Sequence, residues 1–241
     1  MQKIIIVGAT SGIGEEVAKL YLEKGWKVGV AGRREEALIR FQQLAPDRVE
    51  IQVLDVTHKN ADKHLKELID KMGGADLFLL SSGIGSQNAV LDQAIELNTA
   101  MTNVEGFIRM VTTMFHYFRI CGKGHIAVIS SIAGTRGLGI APAYSATKRF
   151  QNTYIESLAQ LAQMEKLNIR FTDIRPGFVA TALLKDRNYP ILMKVPRVAK
   201  LIVKALDKRK RVVVVDWRYG ILVFLWRLIP GWLWERLPVK N

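Results

Sequence analysis

The first stretch of the chain constrains the fold most, because a short apolar run leads directly into a glycine-rich turn. Lys3–Val7 is apolar and β-branched after its lysine, as expected of a strand buried on both faces. Gly8, Gly12 and Gly14 follow, and an amphipathic helix continues from there to Gly25. Together they predict the first half of a dinucleotide-binding βαβ unit, in which a pyrophosphate lies at the positive end of the helix. The spacing is GxxxGxG, whereas the commoner fingerprint is GxGxxG.

The end of the second predicted strand, Lys27–Ala31, indicates which dinucleotide is bound. Folds that prefer NAD usually place an acid near this point to bind the ribose 2′-hydroxyl, whereas an arginine accommodates the 2′-phosphate of NADP. Here Gly32 offers no carboxylate, and Arg33 and Arg34 offer two guanidiniums. Cations are disfavoured at a helix N-terminus, so we do not expect that both arginines serve only as the first residues of the next helix. The sequence therefore favours NADP(H).

Strand-like and helix-like segments keep alternating along the whole chain. Further helices are expected at 35–44, 61–72, 91–118, 142–166 and 197–207. Further strands are expected at 49–54, 75–80, 125–130, 169–174 and 212–215. Seven strands alternating with helices predict one α/β domain, with a Rossmann-type, doubly wound, seven-stranded parallel sheet covered by helices on both faces.

Small and polar residues follow the predicted carboxyl ends of six strands. In an open α/β sheet the ligand lies outside these ends. We therefore expect one site built from the glycine loop, Arg33, Asp55, Ser81–Gly83, Ser131 and Pro176–Thr181.

Tyr144 and Lys148 lie four positions apart in a predicted helix, so their side chains share one face. A phenol is a weak acid at neutral pH, and a nearby cation lowers its pKa. Ser131, thirteen residues upstream, offers a hydroxyl that could hold a substrate oxygen beside the phenol. In isolation the pair is more typical of an ordinary helix tyrosine and a solvated lysine, whereas its place on the shared rim favours the catalytic interpretation.

Residues 1–216 resemble the short-chain dehydrogenase/reductase family. The order and spacing of six motifs carry the resemblance: Gly8-Ala9-Thr10-Ser11-Gly12-Ile13-Gly14, Asp55-Val56, Asn103-Val104-Glu105-Gly106, Ser130-Ser131, Tyr144-Ser145-Ala146-Thr147-Lys148 and Pro176-Gly177-Phe178-Val179-Ala180-Thr181. The family's spacing selects Ser131 over Ser130, and it favours Asn103 over Asn98. After the fourth strand the family usually has Asn-Asn-Ala-Gly, and this chain has Leu80-Ser81-Ser82-Gly83.

The resemblance implies a role for each matching residue. Tyr144 exchanges a proton with a carbonyl or alcohol oxygen, Lys148 lowers the tyrosine pKa and binds the nicotinamide ribose, and Ser131 positions the substrate oxygen. Asn103 shapes the long helix and holds a water near Lys148. Asp55 is expected at the adenine, and Thr181 at the nicotinamide amide. With the two arginines, the expected cofactor-binding residues are Gly8, Thr10, Ser11, Gly12, Ile13, Gly14, Arg33, Arg34, Asp55, Val56, Ser82, Gly83, Tyr144, Lys148, Pro176, Gly177, Val179 and Thr181.

Composition bears on the compartment and the partners. The 241 residues include one cysteine and four histidines without metal-ligand spacing, so we expect a reducing compartment and no metal site. The net charge of +13 admits nucleic acid, an anionic membrane or a phosphorylated ligand as partners. The basic stretch 194–211 has no interleaved aromatic residues, which disfavours nucleic acid. The apolar run at the N-terminus is too short for a signal peptide.

Residues 217–241 form an apolar and basic C-terminal extension rich in tryptophan. The segment is too short to span a bilayer, and its composition suits a helix lying in the headgroup region. Packing against its own domain or a sister subunit fits equally well. Before the helix predicted at 197–207, a stretch that includes Leu183, Leu184, Lys185 and Arg187 is expected to form a lid. The apolar residues of this lid either contact an apolar substrate or pack on the protein's own core.

These expectations combine into a functional hypothesis. The chain is expected to be a cytoplasmic, NADP(H)-dependent oxidoreductase that interconverts a ketone and a secondary alcohol, with an apolar small-molecule substrate such as a keto-lipid. A homodimer or homotetramer is expected, and peripheral membrane contact stays open. The alternative is a regulator or scaffold that binds NADP(H) without turnover, against which the intact Asn103, Ser131, Tyr144 and Lys148 argue.

Overall fold

The computed structural model describes residues 1–184, 189 and 191–239. Its centre is a seven-stranded sheet in which every neighbouring pair of strands is parallel and the order is β3-β2-β1-β4-β5-β6-β7. The strands are β1 Lys3–Val7, β2 Lys27–Gly32, β3 Val49–Val53, β4 Leu77–Leu80, β5 Lys123–Ile129, β6 Asn168–Pro176 and β7 Val212–Val215. The strand order reverses between β1 and β4, which is where open α/β sheets bind ligands.

Helices cover both faces of this sheet. In the described residues they are α1 Gly12–Glu23, α2 Glu35–Gln42, α3 Ala61–Met72, α4 Gln93–Ala100, α5 Phe107–Cys121, α6 Pro142–Met164, α7 Val195–Asp207, α8 Trp217–Leu228 and α9 Gly231–Trp234. The predicted doubly wound α/β fold is therefore confirmed.

The core divides into two layers because successive strand residues point to opposite faces of the sheet. On one face, Ile4 and Ile6 of β1 pack with residues of α1, α2 and α7. On the other face, Ile5 and Val7 pack with residues of α3, α5 and α6. All four side chains are at most 1% exposed, so β1 is buried on both faces as its sequence predicts.

The predicted helix at 91–118 differs most from the structure. Its first part is α4, its last part is α5, and between them Met101–Gly106 forms a π-helical turn that contains Asn103. The spacing of apolar residues along the sequence cannot reveal the π-helical turn, because one wider turn leaves that spacing almost unchanged. Single π-turns of this kind frequently mark functional sites.

The C-terminal extension forms α8 and α9, joined through Ile229 and Pro230. Tyr219 and Val223 of α8 are buried in the same layer as α7, so this segment packs on its own domain through one face. None of the helices in the described residues is long and apolar enough to cross a bilayer. Of the predicted lid, Lys185 and Arg187 lie outside the described residues.

Candidate active site

The glycine loop after β1 is shaped for close backbone approach. Gly8 and Gly12 have φ values of +89° and +62°, which only glycine adopts readily. A Cβ on Gly8 would collide with the backbone of Ser82, and one on Gly14 would collide with the carbonyl of Gly8. Ser11 is the N-cap residue of α1, and its side chain accepts no hydrogen bond from the amides of this helix in the described structure. The amides at the start of α1 are therefore available to an anion, and this loop fits a dinucleotide pyrophosphate.

Arg33 and Arg34 differ in their contacts. Arg34 donates from Nη2 to the carbonyl of Thr10 at 2.9 Å and to its Oγ1 at 3.1 Å, so it braces the glycine loop. Arg33 is exposed and makes no ion pair with Asp55 in the described structure. Burial acts to raise the pKa of Asp55, but hydrogen bonds from Thr57 and the charge of Arg33 outweigh burial and lower it. The positive charge of Arg33 thus acts on the segment that follows β3.

The loop after β4 is fixed by Asn103. The Oδ1 atom of Asn103 accepts from the amide of Ile84 at 2.9 Å, and Nδ2 donates to the carbonyl of Ile84 at 2.7 Å. This pairing ties the π-helical turn to the loop that holds Ser82 and Gly83. A Cβ on Gly85 would overlap the ring of Tyr144. The small residues of this loop therefore leave space for Tyr144.

Val56 and Gly106 bring the end of β3 against the π-helical turn. A Cβ on Gly106 would lie 2.8 Å from Cγ2 of Val56, so the glycine permits this contact. Arg109 adds a hydrogen bond of 3.0 Å from Nη1 to the carbonyl of Val56. Val56 is 6% exposed and contributes its backbone and a packing surface to the rim.

The Ser131 side chain lies close enough to the Tyr144 hydroxyl to act on it, in the direction that lowers the pKa of the phenol. The Ser131 hydroxyl also accepts from the amide of Ala133 at 3.1 Å and lies 3.4 Å from the carbonyl oxygen of Pro176. Ser130 faces the other way, into a buried network. The structure therefore places Ser131, of the two serines, beside the phenol.

Lys148 lies one helical turn after Tyr144 and is 4% exposed. Its Nζ donates to the carbonyl of Ile129 at 3.1 Å and to Oε1 of Gln151 at 3.0 Å. Gln151 in turn donates from Nε2 to the main-chain oxygen of Asn103 at 2.9 Å. A chain of hydrogen bonds thus joins Lys148 to Asn103 through Gln151.

The pKa values of Lys148 and Tyr144 are both displaced by burial. Burial lowers the pKa of Lys148 to about 8, and the charge of Asp173 opposes this shift. Burial raises the pKa of Tyr144, and the nearby Ser131 side chain acts to lower it. The net direction is upward because desolvation of the phenolate outweighs the stabilisation by Ser131. The lowering of this pKa by Lys148, which the resemblance implies, stays a prediction.

The Pro176–Thr181 segment closes the site on the β6 side. Gly177 lies against the ring of Tyr219, which a Cβ would penetrate, and the Tyr219 hydroxyl accepts from the amide of Phe178 at 3.1 Å. Thr181 lies against Gly12, where a Cβ would come within 3.3 Å of its Cγ2. The segment therefore spans from β6 back to the glycine loop.

Sequence reasoning did not identify a buried polar network behind Ser131. Asp173 is 1% exposed, accepts from the Ser130 hydroxyl and from Asn152 Nδ2 at 3.0 Å, and pairs with Arg175 at 2.7 Å. Sequence reasoning also missed Gln151, although this residue follows Lys148 by three positions and lies on the same face of the helix. No group of three potential metal-ligating residues occurs within the described ranges.

The fold and this rim define a Rossmann-type α/β protein whose site lies at the carboxyl edge of the sheet. Residues 2–190 match the short chain dehydrogenase family, and the chain belongs to this family of oxidoreductases.

Curated relatives extend over almost the whole chain. An uncharacterized oxidoreductase of Mycobacterium tuberculosis is 29% identical over 246 residues, covering 98% of this chain and 96% of that protein. One of Myxococcus xanthus is 30% identical over 239 residues, with coverages of 96% and 94%.

Solved structures share the fold at low identity. A 3-ketoacyl-(acyl-carrier-protein) reductase from Brucella melitensis, complexed with NADH, has a TM-score of 0.79 at 21% identity and covers 89% of this chain and 96% of its own. An alcohol dehydrogenase from the archaeon Thermococcus sibiricus, complexed with 5-hydroxy-NADP, has a TM-score of 0.76 at 21% identity, with coverages of 89% and 95%.

Proposed function

We propose that this protein is an NADP(H)-dependent reductase that interconverts a ketone and a secondary alcohol. The observation that carries the proposal is that Ser131 lies beside the Tyr144 phenol, with the buried amine of Lys148 5.8 Å from the centre of the Tyr144 ring. A proton donor, an oxygen-positioning hydroxyl and a cation are thereby held together at the ligand-binding edge of the sheet.

The proposed roles follow from these positions. The glycine loop at Gly8–Gly14 and the Pro176–Thr181 segment would hold a nicotinamide cofactor, which would supply or accept the hydride. Ser131 holds the substrate oxygen beside the phenol, and Tyr144 donates its proton to that oxygen as negative charge develops there. The phenol of Tyr144 is protonated at neutral pH, as a proton donor for reduction must be. Lys148, fixed by Ile129 and Gln151, places a cation near the phenolate that proton donation leaves behind.

Two features support NADP(H) over NAD(H). Gly32 stands where an acid would bind the 2′-hydroxyl, and Arg33 presents an exposed guanidinium. One solved neighbour is described with NADH and another with an NADP derivative, so preference in this chain depends on its own residues.

We further propose an apolar substrate and a homo-oligomer in the cytoplasm. Leu183 and Ile191 are 41% and 37% exposed near the described part of the lid, and they offer apolar contacts to a substrate. Leu97 and Met101 are 59% and 44% exposed on α4 and the π-helical turn, and they support subunit contacts along the long helical segment. Light scattering of the purified protein would measure the oligomer.

A panel of ketones that includes long-chain 3-keto lipids tests the function, with NADPH and NADH compared at equal concentration. The proposal expects ketone-dependent consumption of NADPH and weaker consumption of NADH. The rival is a regulator or scaffold that binds NADP(H) without turnover. Tight NADPH binding with no consumption on any ketone, and no oxidation of the matching alcohols with NADP, would favour that rival.

A further inference from the structure

Helix α8 exposes one continuous apolar face. Trp217, Ile221, Phe224, Leu225 and Leu228 follow the helical repeat, and they are 70%, 52%, 62%, 52% and 64% exposed. The opposite face of α8 is the one that packs on the domain. Soluble helices normally present polar residues to water, so an apolar outer face on an ordered helix indicates a binding surface.

The apolar surface continues onto the end of the chain. Trp232, Leu233 and Leu237 are 62%, 37% and 39% exposed. We call these eight side chains the C-terminal apolar surface. Positive charge accompanies it: residues 217–239 contain Arg227 and Arg236, and also Arg218, which pairs with Asp216, against the acid Glu235.

An arginine-lined pocket of about 420 Å³ lies between α6 and the end of α8. Its lining includes Arg136, Arg149, Arg175 and Arg227, with Glu156 as the acidic member. Arg136 donates to the carbonyls of Trp226, Arg227 and Ile229, and Arg175 pairs with Asp173. Arg149 and Arg227 are both exposed. Their positive charges make this pocket suited to an anionic group beside the apolar surface.

We propose that the C-terminal apolar surface docks on an anionic lipid bilayer, with a lipid phosphate held in the arginine-lined pocket. An apolar face rimmed by arginines matches the boundary between acyl chains and anionic headgroups. A helix of 12 residues extends about 18 Å, short of the roughly 30 Å of a hydrocarbon core, so α8 lies along the surface. Packing against a second copy would bring the like-charged arginines of both copies together.

The end of α8 and α9 are hydrogen-bonded to the loop at residues 136–137. Trp234 donates from Nε1 to the carbonyl of Gly137 at 2.8 Å, and Arg136 joins the same loop to the end of α8. This loop connects Ser131 to Tyr144 along the chain. Docking would therefore bring the site close to the bilayer, where an apolar ketone partitions. The binding itself goes beyond the proposed function and is measured without turnover.

Co-sedimentation of the full chain with vesicles tests the proposal. Wild type should sediment with phosphatidylcholine vesicles containing phosphatidylglycerol, and much less with vesicles of phosphatidylcholine alone. Phe224→Ser with Leu228→Ser should reduce sedimentation about tenfold, because two exposed apolar anchors are lost. The matched control is Val90→Ser with Ile120→Ser, which removes two apolar side chains that are 88% and 87% exposed elsewhere.

A charge series tests the pocket. Arg149→Gln with Arg227→Gln should remove most of the preference for phosphatidylglycerol, whereas Arg40→Gln with Lys63→Gln, on distant exposed positions, should leave it unchanged.

Equal binding by wild type and Phe224→Ser/Leu228→Ser would overturn the docking surface. So would light scattering that shows this variant dissociating an oligomer while vesicle binding persists, since the face would then join two copies of the chain. An unchanged preference in the arginine variant would overturn the phosphate pocket.

Discussion

Lys148 donates from Nζ to Oε1 of Gln151 across 3.0 Å, and both side chains are buried. Because Gln151 also donates to the main-chain oxygen of Asn103, it fixes the amine relative to the π-helical turn. Gln151 is therefore a positioning residue, acting on the site through Lys148.

Replacing Gln151 should alter the pH dependence of turnover. Gln151→Glu places a carboxylate beside Lys148 Nζ, which should raise the pKa of Lys148 and move the corresponding limb of the kcat/KM profile to higher pH. Gln151→Leu should lower kcat about tenfold and destabilise the fold by about 1–3 kcal/mol, because the Asn103 carbonyl loses its partner. Gln160→Leu, exposed on the same helix, is the control. Unchanged profiles in both Gln151 variants would refute the positioning role.

Gly85→Ala should damage the site without unfolding the protein. The added methyl group would overlap the ring of Tyr144 and push the phenol away from Ser131, so kcat should fall about tenfold or more. Gly137→Ala is the matched control, because a Cβ there meets nothing within 4 Å. Steady-state kinetics and thermal unfolding of both variants would check this. Equal kcat values would show that Gly85 does not limit the position of Tyr144.

Arg33→Ala should weaken NADPH binding by roughly 10- to 100-fold and leave NADH binding nearly unchanged, because a charge-assisted contact contributes about 1.5–3 kcal/mol. Arg34→Ala should weaken both cofactors, since Arg34 braces the glycine loop through Thr10. Fluorescence titration with each cofactor would measure the affinities, with Arg40→Ala as an exposed control. Equal losses for both cofactors in Arg33→Ala would mean that Arg33 does not bind the 2′-phosphate.

Burial of Lys148 makes stability depend on pH. The folded protein releases this proton near pH 8, whereas the unfolded chain keeps it until its ordinary pKa of 10.5. Between these values the unfolded state binds more protons, so wild-type stability should rise with pH across this window. Lys148→Met should be the more stable protein below pH 8, by up to about 3 kcal/mol, with the difference shrinking as pH rises. Chemical denaturation across this range would test it, with exposed Lys63→Met as control. A constant difference would contradict the lowered pKa.

Sequence alone predicts this fold well because its signals are local. The run at Lys3–Val7, the helix at Ala61–Met72 and the strand at Val212–Val215 have the predicted bounds. The rim could be anticipated because parallel strands share one carboxyl edge. Gln151 and Asp173 could not, since their partners Asn103 and Ser130 lie 48 and 43 residues away and meet only in the folded chain. Sequence alone also could not decide whether residues 217–241 pack on protein or lie on a membrane surface, because the choice requires knowing which face of α8 packs on the domain.

In the proposed reaction Tyr144 donates a proton to a carbonyl oxygen. The most direct measurement is ketone-dependent NADPH consumption by Tyr144→Phe, with NADPH affinity measured in parallel and Tyr154→Phe, on the same helix, as control. The account predicts that Tyr144→Phe loses roughly 100- to 10,000-fold in kcat while its NADPH affinity and fold stay near wild type. Turnover retained within a few-fold of wild type would contradict the assignment of Tyr144 as the proton donor.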